Sequence, residues 1–332
     1  MNLVKWKPLL AVLLGLLMVG VTAGDTATSV MPTSGHTIIS YVTLDGMAFK
    51  VYNNSKVALD DKGPSKYYTD IEKLPIHIAG MRLSEKIYKQ YMKYRYVSQN
   101  DLDALIELAE KVTRKLSPSE EQILKDLILR DLYMDQEFRK MKEQLIHENW
   151  DYTARIEATN SQIPPEVQET LPKIYQPWVD ILPQGDQTNP SKGLNPLIAV
   201  YWYVHETQSG KVIEYTLVFA DEDHPLIDQT YDVIRLWRFG RIEDTEYYLV
   251  YVTTNKAKFP GSYSGDQTFF TIRPAHLTGS EPYSGKIYIN TWNHMMSSQK
   301  DTNPQLIKKT WQSYPLRHGD RHKAHCDYSF KC

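Results

Sequence analysis

Cysteine is nearly absent from this chain of 332 residues: there are two, Cys326 and Cys332, both close to the C-terminus. That excludes a disulfide-dense miniprotein and any C-x-x-C redox pair. Charge of one sign is missing as well. The 38 basic residues against 40 acidic ones leave a net charge of -2, so nothing predicts electrostatic capture of nucleic acid. Beyond the N-terminal stretch no segment is apolar enough to span a bilayer, and the mean hydropathy of -0.47 excludes a polytopic membrane protein. There is no G-x-G-x-x-G, no G-K-[ST] and no H-E-x-x-H, which argues against nucleotide-driven or redox chemistry. Gly261-Ser262-Tyr263-Ser264-Gly265 has a tyrosine where a nucleophile elbow needs serine, so it reads as a loop. With 16 Gly and 18 Pro the chain is neither collagen-like nor low in complexity.

What is present is a hydrophobic fraction of 42%, with 23 Tyr and 7 Trp gathered in strand-like runs, enough for a substantial core. Residues 1–23 have the parts of an export signal. Lys5 and Lys7 form a basic start, Leu9–Val21 is apolar, and Val21 and Ala23 are the small residues before a cleavage site ahead of Gly24. The alternative is an uncleaved anchor formed by residues 8–23, the chain's one route to a membrane. The expected location is therefore secreted or extracytoplasmic. In an oxidising compartment Cys326 and Cys332 are expected to form a local disulfide. Asn53-Asn54-Ser55 is a glycosylation sequon.

Residues 24–36 are small and polar, a flexible spacer. Residues 37–159 read as a β-hairpin plus a helical region. Asp45-Gly46 between two β-rich runs marks the hairpin turn. Helices are expected over Ser84–Val97, Asn100–Leu116 and from Ser117 toward Trp150, the last two as a helical hairpin. Ser117-Pro118-Ser119-Glu120 is a capping box with proline at the first helical position. Residues 160–196 form a Pro-rich connector, with a short helix near Pro165–Leu171. Residues 197–332 read as an antiparallel β domain with a C-terminal tail. Its strand candidates are Leu197–Glu206, Lys211–Ala220, Tyr231–Phe239, Thr245–Thr254, Thr268–Arg273 and Lys286–Trp292. Ile213, Tyr215, Leu217 and Phe219 alternate onto one face. The fold class expected is α+β, a helical hairpin region followed by an antiparallel, β-sandwich-like domain.

The polar residues with chemical promise cluster between these strands. Asp221-Glu222-Asp223-His224 follows an apolar strand, and Asp244 and Glu246 share a face at the start of another. Asp221, Asp223, Asp244 and Glu246, joined by His294, are candidate ligands for a hard cation such as Ca²⁺, or an acid and base for hydrolysis. The spacing G-x-x-x-D-x-E from Gly240 to Glu246 is similar to the metal-binding stretch of necrosis-inducing-type secreted β-sandwich proteins. Arg241 and Glu243 stand where that family has histidines, and the likeness covers these few positions alone. The tail spacing His318, His322 and His325 would put three imidazoles on one face of a helix, but Pro315 and Gly319 oppose a long one. The aromatics, Tyr201, Trp202, Tyr203, Tyr247, Tyr248, Tyr251, Phe269 and Phe270, read as core first and as a stacking surface second.

Two functions follow. One is a non-enzymatic extracytoplasmic binding or structural module, its partner a cell-surface polymer or protein, with no nucleic acid and no nucleotide. The other is a secreted or envelope hydrolase using the acids and histidine of the β domain, with a divalent cation as its potential helper. Convergence of those acids and His294 on one cleft favours the second.

Overall fold

The computed structural model describes residues 37–44, 46–60, 62–64, 67–147, 163–182, 194–263 and 265–332. The expected export signal and spacer lie outside these residues. The chain divides into two compact units: residues up to Leu59 with Tyr68–Leu74, and Asp60–Tyr67 with Pro75–Cys332. The fold is α+β.

The first unit is built on a four-stranded sheet in the order β1-β2-β3-β4. Its strands are β1 (Ile38–Leu44), β2 (Met47–Tyr52), β3 (Lys56–Asp60) and β4 (Tyr67–Asp70). The expected hairpin is present, with Leu44 opposite Met47 and Val42 opposite Phe49. Two strands expose too much backbone to stand alone. The sheet is completed by β3 and β4, which the sequence pattern did not predict. Lys56 Nζ ties them with a 2.7 Å bond to Asp70 Oδ1. The sequon residue Asn53 is exposed on the turn after β2.

The second unit opens with α1 (Leu74–Tyr94), α2 (Gln99–Val112) and α3 (Pro118–His147). Helix α1 starts ten residues before the expected Ser84. The predicted stripe of α2, Leu102, Leu105, Ile106, Ala109 and Val112, is buried throughout. The capping box forms with both arms: Glu120 Oε2 accepts from the Ser117 N–H at 2.8 Å, and Ser117 Oγ accepts from the Glu120 N–H at 3.4 Å.

Next come α4 (Pro165–Thr170), β5 (Lys173–Pro177) and α5 (Trp178–Ile181). The Pro-rich connector thus contains its expected short helix and also supplies a strand, β5, to the main sheet. Then follow β6 (Leu197–Thr207), β7 (Gly210–Phe219), α6 (Asp228–Phe239), β8 (Asp244–Tyr251) and β9 (Lys256–Tyr263). The chain ends with β10 (Leu277–Pro282), β11 (Lys286–Ile289), β12 (Met296–Ser297), β13 (Lys308–Trp311), β14 (Leu316–His318) and α7 (Arg321–Tyr328).

Two strand expectations are corrected. Tyr231–Phe239 is helical, because its apolar residues Val233, Ile234, Leu236 and Trp237 pack as a helix face capped by Gly240 in the left-handed region at φ 69°. Thr268–Arg273 is turns and bends, held by Thr268 and Thr271 bonding each other.

The main sheet runs β13-β5-β11-β12-β9-β8-β7-β6-β14, with β10 paired to β9. Its centre, β6 to β9, is antiparallel, while β5–β11, β9–β12 and β6–β14 pair in parallel. Ile174 on β5 and Ile287 on β11 share a core with Val200, Trp202, Tyr215 and Tyr248 from the other half of the sheet. The sheet therefore curls over itself in sandwich fashion. Ile213, Tyr215, Leu217 and Phe219 all face this core, as their alternation predicts. Of the aromatics, Tyr201, Trp202, Tyr247, Tyr248 and Phe269 are buried, and Phe270 is exposed.

Candidate functional site

The β7–α6 loop, α6 and the start of β8 bring an unusual number of charged residues inside the second unit. Asp221, Glu222, Asp223, Asp228, Asp232, Arg235, Arg241, Glu243 and Asp244 are all buried. Burying a charge is costly unless it is paired, and such groups concentrate where chemistry is done.

The loop is held locally. His224 donates its backbone N–H to Asp228 Oδ1 at 2.9 Å, and the Leu226 N–H donates back to His224 Nδ1 at 3.1 Å. Helix α6 then delivers Arg235 into the acids. Its guanidinium lies 3.0 Å from Asp221 Oδ1, 3.4 Å from Glu222 Oε2 and 3.7 Å from Asp244 Oδ1. One cation thus serves three carboxyl groups.

His294 reaches the same place from the turn after β11. Its backbone is in the left-handed region at φ 52°, a conformation that non-glycine residues seldom adopt. Its ring stacks on Phe219 at 3.8 Å. Nδ1 lies 2.8 Å from Asp244 Oδ2, and Nε2 makes an ion-pair approach of 3.2 Å to Asp180 Oδ2. Asp180 is itself held by Gln176 Nε2 at 2.6 Å and Asn195 Nδ2 at 3.2 Å. Burial disfavours the imidazolium, but the charge of Asp180 and the bonds to Asp180 and Asp244 prevail and raise His294 to about 10. Burial likewise opposes ionisation of Asp244, yet the His294 hydrogen bond and charge, with Arg235, hold it at about 2.

Beside this ion pair is a cavity of about 60 Å³. Glu222, Asp244 and Glu246 line it from the β domain, Asp131 from α3, and Arg321 from α7. The carboxyls differ sharply. Burial, reinforced by the charge of Asp244, pushes Glu222 up to about 8. Burial raises Asp131 to about 6, with Arg130 opposing. Burial and then Asp244 raise Glu246 well above the usual range, although Ser262 Oγ donates to it. His276, also on the lining, is kept neutral, first by burial and then by the charge of Arg130.

The structure thus brings together four of the five candidate residues. Asp244 and His294 are bonded, Asp221 joins Asp244 through Arg235, and Glu246 faces the same cavity. Asp223 is buried nearby and its charge acts on Asp232, but it does not line the cavity. As a cation site the set fits poorly. Both ring nitrogens of His294 are engaged by carboxylates, and Arg235 already neutralises the acids. Among the described residues no group of three or more His, Cys, Asp or Glu is arranged to hold a metal ion.

The tail histidines do not converge. His318 packs on Trp202, His322 lies near the Cys326 sulfur, and His325 Nδ1 accepts from Arg241 Nε at 3.0 Å. Cys326 and Cys332 are joined as a disulfide, their Cα atoms 5.2 Å apart.

Sequence reasoning missed Asp131, Asp180, His276 and Arg321. For Asp131 a signal existed: it continues the apolar row Leu124, Leu127, Ile128 of α3, on the face that packs inward, and its side chain is only 16% exposed. Comparison of the chain with protein-family models, with characterised proteins and with solved structures finds no match.

Proposed function

We propose that the protein is an exported hydrolase with Glu222 as general acid and Asp131 as general base. The observation carrying this reading is that one cavity is lined by two carboxyls at about 8 and about 6, so at neutral pH one holds a proton and the other has lost it. Asp131 takes a proton from a water whose oxygen attacks the scissile centre. Glu222 gives its proton to the leaving oxygen, and solvent returns the proton from Asp131 to Glu222. Asp244, fixed by His294 and Arg235, is a permanent negative charge that sustains the raised value of Glu222.

Export is supported by the signal-like residues 1–23 and by the Cys326–Cys332 disulfide, which suits an oxidising compartment. The substrate class is then a cell-surface polymer or protein. No helix among the described residues is long and apolar enough to cross a membrane. Mass spectrometry of the exported protein should find Gly24 first. Intact Met1 in a soluble cytoplasmic fraction would sink the export reading, and intact Met1 in membranes would replace it with the anchor.

The catalytic reading is tested by offering the purified protein chromogenic p-nitrophenyl esters, glycosides and phosphodiesters. Turnover should fall by about 10²-fold or more in Glu222→Gln and in Asp131→Asn. Turnover that survives both substitutions, or no turnover on any substrate, overturns it. A non-enzymatic binding module is the second reading, favoured by edge strand β1, where Ile39 is 58% and Tyr41 63% exposed.

A further inference from the structure

The outer face of the main sheet is covered differently along its width. Over the centre, α7 packs on β7 and β8, and α3 packs on β9. At the β13-β5-β11 end the pattern changes. Ile174 of β5, with Ile287 and Ile289 of β11, points into the core. Alternation therefore turns Lys173 and Tyr175 of β5, and Lys286 and Tyr288 of β11, to the outer side. Both lysines are exposed and both tyrosines are half-buried. Strands β5 and β11 run parallel, and their register sets these residues in two rows. Lys173 is directly opposite Lys286, across a strand spacing of about 4.8 Å. Tyr175 is opposite Tyr288, and the two rings stack with centroids 5.0 Å apart and planes inclined by 23°. The exposed Thr310 of β13, opposite Tyr175, extends the second row.

The tyrosine row is accounted for by the fold, since stacked rings bury apolar area against each other. The lysine row is not. Like charges directly opposite on neighbouring strands disfavour their pairing. Lysines nearby are matched by acids: Lys308 of β13 pairs with Asp301 at 2.9 Å, and Lys211 with Glu166 of α4 at 2.6 Å. Among the described residues neither Lys173 nor Lys286 has such a partner. Glu169, exposed on α4 four residues before Lys173, pairs with neither. Glu281 approaches only the tyrosine row, through Ser297, which is opposite Tyr288. Its carboxylate is already engaged by Ser297 Oγ at 2.8 Å and 3.1 Å and by the Gln299 N–H at 3.2 Å. The two exposed ammonium groups are thus matched by an anion from outside the chain.

We infer that this face, Lys173 and Lys286 beside Tyr175 and Tyr288, binds an anionic polysaccharide. The lysine pair takes an acidic group of the polymer, a carboxylate or a sulfate, and the tyrosine row with Thr310 takes the sugar beside it. Charge complementarity selects the acid. The two rows carry ammonium groups, hydroxyls and aromatic rings but no large aliphatic side chain, which suits a sugar and not a lipid surface. The choice of a polysaccharide over a nucleic acid or an acidic peptide rests on the export reading, under which the chain meets cell-surface polymers.

The test is calorimetric titration of the purified protein with polygalacturonate and with dextran sulfate, against neutral dextran, polyglutamate, single-stranded DNA and phosphatidylglycerol vesicles. One of the two acidic polysaccharides should bind saturably, more weakly as salt is added, and neutral dextran should not bind. Replacing both lysines, Lys173→Gln with Lys286→Gln, should weaken binding by about tenfold. That variant should melt as the wild type does, because both side chains are exposed. Tyr288→Ala should weaken binding by about fivefold. Lys89→Gln with Lys111→Gln removes the same charge from α1 and α2, where each lysine pairs with a glutamate, and should leave the affinity unchanged. No saturable binding to either acidic polysaccharide overturns the inference, as does affinity that survives loss of both lysines or falls equally in the helix variant. Tighter binding to polyglutamate, DNA or vesicles overturns it too. Binding is read without turnover, so its failure leaves the hydrolase reading standing, and a silent substrate panel leaves the binding face standing. Mass spectrometry of the N-terminus tests export separately from both.

Discussion

His294 bridges Asp244 and Asp180: its Nδ1 lies 2.8 Å from one carboxylate and its Nε2 3.2 Å from the other. An imidazolium fully buried between two acids is stable only while all three groups stay charged. Replacing it by glutamine leaves Asp180 without its cation and Asp244 with Arg235 alone, at 3.7 Å, which should cost about 3 kcal/mol. Urea unfolding of His294→Gln measures this, and a loss under about 1 kcal/mol would show that the bridge is dispensable.

The same bridge sets a pH dependence with a definite sign. His294 is raised from 6.5 to about 10 in the folded state, so the stability it supplies is complete below pH 6.5 and is lost as pH rises toward 10. Asp244 is lowered from 3.8 to about 2, so its contribution is present above 3.8 and is lost as pH falls toward 2. The difference in melting temperature between the wild type and His294→Gln should shrink steadily from pH 6.5 to pH 10. A constant difference across that range contradicts the assignment.

Catalytic turnover should rise as Asp131 ionises near pH 6 and fall as Glu222 ionises near pH 8. A bell-shaped profile of kcat/KM with limbs at those values is the expected outcome. A profile flat from pH 5 to pH 9 would remove both residues from the reaction.

Calcium should leave the protein unmoved. The charge that a cation would supply to Asp221, Glu222 and Asp244 already comes from Arg235. Melting curves with Ca²⁺ and with a chelator should superimpose. A Ca²⁺-dependent rise that disappears in Asp244→Asn would restore the acids as metal ligands.

The C-terminal disulfide closes a clasp on helix α6. Between the two cysteines, Ser329 Oγ donates to Phe239 O at 2.6 Å, the Phe330 N–H donates to Gly240 O at 3.0 Å, and Lys331 Nζ reaches Trp237 O. Cys332→Ser should lower stability by about 2 kcal/mol, the value for so short a loop. Amide exchange at Gly240, whose N–H bonds Leu236 O at 2.9 Å, should quicken in the variant. Unchanged exchange there would mean the tail holds without its covalent tie.

Sequence patterns were legible where the physics is local. Ser117 and Glu120 lie three apart, so their reciprocal capping needs nothing from the rest of the molecule. Leu102, Leu105 and Ile106 repeat at the helical period, and Ile213 to Phe219 at the strand period. Tyr231–Phe239 shows where this reasoning stops. Its β-branched and aromatic residues favour a strand, but packing of Val233, Leu236 and Trp237 within the second unit selects a helix, since tertiary contacts outweigh propensities of a few tenths of a kcal/mol.

The site divides along the same line. The acids from Asp221 to Glu246 could be picked out because they lie within one stretch of chain beside apolar strands. Asp180, Asp131 and Arg321 come from distant segments and meet them only in the folded chain. By itself the sequence determined the α+β class, the capped start of helix α3 at Ser117, the alternating core face and the pairing of its only two cysteines, all consequences of neighbours along the chain. Only the tertiary structure decided which carboxyls are ionised, because that depends on burial and on charges brought close by folding: His294 keeps Asp244 charged, and Asp244 in turn helps keep Glu222 neutral.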